Sequence, residues 1–197
     1  MGILKEPAQF VADLKLPQGF SVCELGNQFM AGGELDRPAS EFYKGLGCGR
    51  YEAIDANGQG TLTSDLNRPL PLTVAFTHKP IKWMESFDLV TDFGTGEHIF
   101  DQGQLWRTIH DLTKPGGYIA FDRPSQGYSK HCFYLITAGL IHDLALANGY
   151  VIVKLQNQKT PRGQLLRGVL RTPRHALPFQ HPQQGRYQSS LKLKGIA

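Results

Sequence analysis

The 197-residue sequence predicts an α/β fold: a doubly wound, mostly parallel sheet with one antiparallel edge strand supplied by a C-terminal hairpin. Three observations carry that prediction. Short apolar runs of strand character alternate with segments whose apolar residues recur at helical spacing. The last two runs are separated only by a turn-prone stretch, so they pair antiparallel. The length, with 41% hydrophobic and 19% charged residues, suits one domain with one sizeable core.

The elements follow in order. Residues 1–20 read as an amphipathic lead-in with Phe10, Val11 and Leu14 at helical spacing, broken by Pro17, Gln18 and Gly19. Ser21 to Leu25 is an apolar run entering a tight turn at Gly26. A helix is expected within Phe29 to Leu46, with Gly32, Gly33 and Pro38 blurring its start. Arg50 to Ile54 is the next strand, closed by Asp55, and Thr61 to Thr63 a short third one. Phe87 to Val90 is a fourth. Glu97 to Leu112 has helical spacing through Ile99, Leu105, Ile109 and Leu112. Lys114 to Gly117 ends that helix and launches Tyr118 to Phe121 as a strand. Ala138 to Asn148 is a helix with Gly149 placed as its left-handed cap. Tyr150 to Leu155 and Leu165 to Leu170 form the hairpin, turning within Gln158 to Gly163. This order is Rossmann-like. Residues 1–172 are expected to form that domain, and 173–197 a basic extension with little core of its own.

Composition narrows the function classes. No stretch approaches the roughly 20 apolar residues of a membrane span, and Met1 to Lys15 lacks the apolar segment of a secretory signal. Cys23, Cys48 and Cys132 are scattered without CxxC spacing, which points to a reducing, cytoplasmic setting and away from structural zinc. Charge is uneven: from Leu144 onward there are nine Lys/Arg and no Asp/Glu, against twelve and seventeen before it. The basic end is a candidate surface for nucleic acid or another polyanion, or simply a solvated edge.

In a doubly wound sheet the ligand lies beyond the carboxyl ends of the strands, where strand order reverses. Here the first such exit is VCELGNQ (residues 22–28). Gly26 lets backbone approach a ligand, yet the G-x-G-x-x-G of dinucleotide folds and the G-x-x-x-x-G-K-[ST] phosphate loop are both missing. Glu24 in that turn repels a pyrophosphate and favours a ligand bearing an ammonium group. Asp55 ends the next strand, where a carboxylate accepts ribose hydroxyls. Asp65 and Leu66 in SDLN offer a carboxylate and an apolar contact to an adenine.

On these residues the sequence resembles class I S-adenosylmethionine-dependent methyltransferases, in particular a bacterial and phage group with an FGTxEH motif. The similarity spans Val22 to Val153 and rests on VCELGNQ, on YEAIDANG with SDLN, on FDLVTDFGTGEHIFDQ, on LTKPGGYIAFDRP, and on HCFY followed by DLALANGY. It implies a seven-stranded sheet with the last strand antiparallel, and S-adenosylmethionine as cofactor. It places Glu24 and Gly26 against the methionine end, Asp55 at the ribose, and Asp65 and Leu66 at the adenine. Asn27, Ala56, Asp92 and Phe93 complete the expected cofactor set. The chain departs from the pattern in three places: Asn27, Gln28 and Phe29 follow Gly26 where the family continues glycine-x-glycine, Asp101 replaces an expected Asn, and Cys132 follows His131 where a Gly is usual.

Methyl transfer from a sulfonium needs an acceptor held in line and a group to take its proton when it is a weak nucleophile. Glu97 and His98, opening a helix just after the fourth strand, are candidates, with His98 as base; helix capping and a structural histidine are the plainer alternative. His131 is a second candidate. His78, His110 and His142 have no partner pattern, and with no H-x-x-x-H no metal site is expected. The function expected is methyl transfer to an unidentified acceptor, a small molecule first. The alternatives are a nucleic-acid methyltransferase using the basic C-terminal segment, and a non-catalytic Rossmann module with a structural or assembly role.

Overall fold

Ser21 to Leu25 is buried at every position, the pattern of a parallel strand covered on both faces, and the rest of the sheet is built outward from it. In the computed structural model, residues 2–3, 5–31, 37–71, 83–128 and 130–183 are described. The chain starts with β1 (Gly2–Ile3), α1 (Lys5–Ala12) and the central β2 (Ser21–Leu25). It continues with β3 (Phe29–Met30), β4 (Arg37–Pro38), α2 (Ala39–Gly45), β5 (Arg50–Asp55) and β6 (Leu62–Thr63). Then come β7 (Phe87–Phe93), a 3-10 turn (Gly96–His98), α3 (Gln102–Leu112) and β8 (Thr113–Gly127). The last elements are α4 (Ala138–Asn148), β9 (Val151–Thr160) and β10 (Gly163–Arg171).

Among the described residues, seven strands form one sheet in the order β6-β5-β2-β7-β8-β10-β9. The pairings from β6 to β8 are all parallel. The hairpin stands at the edge as expected, and within it β10, inserted between β8 and β9, is the strand that runs against its neighbours. From β2 the chain moves outward to β5 and β6, then returns to β7 on the other side of β2. The reversal therefore falls between the carboxyl ends of β2 and β7. That is where this topology opens a ligand crevice.

Alternation along the strands divides the core in two. Cys23, Val90, Ile119 and Leu170 lie in one register row and join Leu105, Ile109, Ile141 and Leu144 of α3 and α4 in the larger cluster. Glu24, Thr91, Ala120 and Val169 form the next row and face the other way. There Ala120 and Val169 pack with Phe10 and Val11 of α1 and Tyr43 of α2. Successive side chains point to opposite faces, so both layers come from the same strands.

Several boundaries differ from the sequence expectation. The helix expected from Glu97 is interrupted: Ile99 is extended, and α3 starts only where the Asp101 carboxylate caps it by accepting the Gln104 N–H at 2.8 Å. Phe29 and Met30 pair with β1 and β4 in a small separate sheet rather than opening a helix. The hairpin turns tightly at Pro161 and Arg162 because both strands run longer than their apolar cores. α4 has its expected ends, with Thr137 accepting the Leu140 N–H and Gly149 at φ 65°. Gly32, Gly33, His78 and residues 184–197 lie outside the described residues. Within the described part of the C-terminal segment, Phe179 is buried against the larger core. Asn148 there exchanges hydrogen bonds with the backbone of Gln180 at 2.8 and 2.9 Å.

Gly168 of β10 lies opposite Phe121, and a Cβ at that position would strike the Phe121 ring, which is fully buried. Gly168→Ala is expected to cost about 1–3 kcal/mol by overpacking, read as a lowered melting temperature. An unchanged melting temperature would contradict this packing.

Candidate functional site

β2 leaves the sheet at Leu25, and Gly26 turns the chain with φ 79°, a conformation that costs glycine nothing. A Cβ there would meet Thr95 Oγ1 and Gln28 Nε2, so the close approach also demands glycine. The turn is fastened to its neighbours. Gly26 N–H donates to the Ile54 carbonyl at 2.7 Å, and Thr95 Oγ1 donates to the Leu25 carbonyl at 2.7 Å. The Asp55 carboxylate accepts the Asn27 N–H at 2.8 Å and the Asn57 N–H at 3.0 Å. Asp55 thus ties the exits of β2 and β5 together. The β5–β6 connection, residues 56–61, is too short for a helix, and its Asn57 and Gln59 face the same opening.

These exits enclose a cleft of about 310 Å³. Gly26, Asn27, Asp55, Ala56, Asp65 and Leu66 all line it, with Thr95 and His98 on the opposite wall. Six of the nine residues expected to hold the cofactor therefore share one cavity. Asp65 is exposed, and hydrogen bonds from Asn67 hold its carboxyl below the usual range. At the base of the cleft Gln28 is 5% exposed. Its amide nitrogen donates to Thr95 Oγ1 at 3.2 Å, while its carbonyl oxygen has no partner among the described residues.

The other three expected cofactor residues are elsewhere. Phe93 lines a second cavity of about 260 Å³, shared with Glu97, Asp122, Tyr128, His131 and Arg162. Gly94 borders both cavities, so they adjoin. Asp92 and Glu24 line neither. The register puts Asp92 on the α3 face of the sheet and Glu24 on the α1 face. Asp92 is buried beneath the loop after β7, where it accepts the Gly96 N–H at 2.7 Å and the Thr95 N–H at 3.3 Å. Glu24 is enclosed under the glycine turn by Tyr51 Oη at 2.5 Å, the Gln28 N–H at 3.1 Å and Tyr43 Oη at 3.3 Å. The expectation that it faces an ammonium group is thereby corrected: its oxygens are spent on bracing the turn from within.

The three catalytic candidates come together where the cavities meet. Glu97 Oε1 is 4.0 Å from His98 Nε2 and 3.8 Å from His131 Nε2, and the two imidazoles are 4.9 Å apart, edge to face. Phe133 N–H and Tyr134 N–H donate to the Glu97 carbonyl, drawing the His131 segment to the loop. Beneath them is Arg123, 1% exposed, with Nη1 3.6 Å from Asp92 and Nε 3.9 Å from Glu97 Oε2. Gln102 Oε1 accepts from its Nη2 at 2.9 Å. Burial, then the charge of Asp92, pushes the Glu97 carboxyl up to about 7. Burial and the neighbouring His131 hold His98 below its ordinary range, which favours the neutral imidazole. Arg123, Gln102, Gln28 and Thr95 were missed from sequence. The adjacent charges Asp122 and Arg123 closing an apolar strand were the available signal. A groove of about 350 Å³ beside His110 and Asp111 lies at the opposite ends of the strands, away from the crevice this topology provides.

Burial is also the main force on Glu24, pushing its carboxyl from 4.5 up to about 7 against the hydrogen bonds that favour the anion. The folded chain thus binds this proton more tightly than the unfolded one. Its contribution to stability is greatest below about pH 4.5 and is lost as pH rises toward 7. In Glu24→Gln that loss disappears. Relative to the parent chain, the variant should gain up to about 3 kcal/mol between pH 5 and 8, read from melting curves. A pH-independent difference would contradict the burial of this carboxyl.

No family model matches the sequence, and no curated protein matches it. Solved structures do. The 1,6-didemethyltoxoflavin-N1-methyltransferase of Burkholderia thailandensis, with 1,6-didemethyltoxoflavin and S-adenosylhomocysteine bound, superposes with a TM-score of 0.58 at 17% identity, covering 85% of this chain and 77% of that one. The N-methyltransferase NodS of Bradyrhizobium japonicum gives 0.56 at 14% identity over 86% and 95%. A methyltransferase-like protein of Bacillus halodurans, described as putative, gives 0.60 at 11% over 85% and 99%. Superposition over most of each chain, at such low identity, is a likeness of architecture: this chain has the fold of the class I S-adenosylmethionine-dependent methyltransferases.

Proposed function

We propose that the chain binds S-adenosylmethionine in the Gly26–Asp55–Leu66 cleft and transfers its methyl group to a small molecule held in the adjoining cavity. The observation that carries this reading is the convergence of Gly26, Asp55 and Asp65 on one cleft at the point where strand order reverses. The residues fit the cofactor. Asp55 presents a carboxylate at a strand end for ribose hydroxyls, and Leu66 and Asp65 an apolar surface and an acceptor for adenine. The unpartnered Gln28 carbonyl suits an ammonium donor, because a buried acceptor without a partner is costly until one arrives. When bound, the cofactor supplies an electrophilic methyl on a sulfonium.

The chain's own contribution is positioning and proton handling. The second cavity joins the cleft at Gly94, and its polar groups Tyr128 and Arg162 orient an acceptor against that boundary. His98 lines the cleft near Gly94, where the two cavities adjoin, and its lowered pKa favours the neutral imidazole that takes the acceptor's proton. Small molecules are favoured by the size of this cavity. The bound 1,6-didemethyltoxoflavin of the Burkholderia enzyme is of the same class. A nucleic-acid acceptor has less support, since several basic side chains after Leu144 are engaged internally. Arg167 pairs with buried Asp122 at 2.8 Å, Lys154 lies 3.7 Å from Asp13, and Arg171 donates to the Gly116 carbonyl.

Calorimetric titration with S-adenosylhomocysteine tests the reading. The folded chain should bind one equivalent, and Asp55→Ala should weaken binding by roughly 10- to 100-fold, the range for losing hydrogen bonds to a charged group. No binding by a chain with a cooperative melt would refute the proposal. His98→Ala should slow methyl transfer by about 100-fold or more while changing cofactor affinity less than about threefold. Equal loss of both would remove His98 from the chemistry.

A further inference from the structure

Glu97, His98 and His131 each offer one donor atom, and the three donors lie within 4.8 Å of one another. The 3.8 and 4.0 Å separations between Glu97 Oε1 and the imidazole nitrogens are too long for hydrogen bonds. They are near the edge lengths of a metal polyhedron, about 3.3 Å for a tetrahedral site with ligands at about 2.0–2.1 Å. Closing the gap takes small rotations of two side chains that are about one-third exposed. Glu97 itself is 1% exposed, and its Oε2 has no hydrogen-bond partner among the described residues. Oε2 is the oxygen that faces Arg123 and Oε1 the one that faces the imidazoles, so one oxygen of a buried carboxyl is presented to the two ring nitrogens.

We propose that Glu97, His98 and His131 hold a divalent transition-metal ion of the zinc, cobalt or manganese class. Two nitrogens and one carboxylate oxygen are a donor set for such ions and leave coordination positions free. The surroundings support it. Arg123 approaches only the second oxygen of Glu97, and Asp92 and Gln102 take the rest of its guanidinium. Glu97 Oε1 is thereby left clear of Arg123 on the side of the imidazoles. Backbone bonds from Phe133 and Tyr134 to the Glu97 carbonyl fix the two ligand-bearing segments relative to each other. Glu97 and His131 border the second cavity and His98 the cleft, so the free positions lie where the two adjoin. The sequence offered no such expectation, because His131 is 33 residues from His98 and only the fold joins them. The catalytic consequence rests on the methyl-transfer reading: with the ion bound, the imidazoles would be ligands, and the metal would lower the pKa of a bound acceptor hydroxyl so that its proton is released to solvent before the methyl group is taken. Proton acceptance by His98 belongs to the metal-free chain.

The test is cobalt and zinc binding by the full, untagged chain after chelator treatment. It is followed by visible absorption for cobalt, and by equilibrium dialysis with elemental analysis for zinc. One ion per chain is expected, with affinity lowered at least about tenfold in His131→Ala and in Glu97→Gln. His131 is exposed enough for its variant to keep the parent melting temperature, so its loss of binding is not loss of fold. Absence of binding at micromolar metal, or equal binding by His131→Ala, overturns the proposal. S-adenosylhomocysteine titration of the same samples separates the two readings. Metal binding without nucleoside binding refutes the methyltransferase and leaves the metal site, and the reverse outcome does the opposite.

Discussion

A guanidinium with almost no solvent contact is the constraint around which this molecule is arranged. Arg123 is drawn toward two carboxylates, Asp92 and Glu97, that are as buried as it is. Taking such charges out of water costs several kcal/mol per ion unless they compensate one another. The group is only partly bonded: Nε and Nη1 of Arg123 and one oxygen of each acid lack hydrogen-bond partners among the described residues. Charge rather than hydrogen-bond geometry holds it. Gly96 is required above it, because a Cβ there would strike Asp92 and Arg123.

From this group the site follows. Asp92 uses its other oxygen to cap the Thr95 and Gly96 N–H groups, which shapes the loop after β7. That loop carries Gly94 and Thr95 against the glycine turn and delivers Glu97 and His98 to the boundary between the cavities. On the far side of the same turn, Asp55 performs a similar service by accepting from Asn27 and Asn57. The crevice is thus framed by two strand-end carboxylates that bond backbone amides, one buried and one half-buried. A second buried pair, Asp122 with Arg167, stands on the opposite face of the sheet under α1. β8 therefore places consecutive opposite charges, Asp122 and Arg123, on its two faces, and each finds a partner there.

Much of the fold was legible because it depends on local pattern. β2, β5 and α4 are short segments with clear periodicity and clear stops, and their positions agree with the sequence reading almost to the residue. The interruption at Ile99 was not legible: the apolar spacing runs through it, and the stronger cap at Asp101 decides where α3 begins. The cleft was half legible. Gly26, Asp55, Asp65 and Leu66 stand at strand exits, a place that follows from topology. Glu24 was misread because the pleat directs it to the other face, and its partners Tyr43 and Tyr51 are distant in sequence. The meeting of His131 with Glu97 was also beyond reach, since it depends on backbone bonds made by Phe133 and Tyr134 across the fold.

The central claim is that the exits of β2, β5 and β6 form a single nucleoside site. A crystal structure of the chain grown with S-adenosylhomocysteine examines it most directly. The account predicts ligand density spanning Gly26 to Leu66, with the ribose at Asp55 and the sulfur turned toward Gly94. Density seated in the groove beside His110, or an empty cleft at saturating ligand, would contradict it.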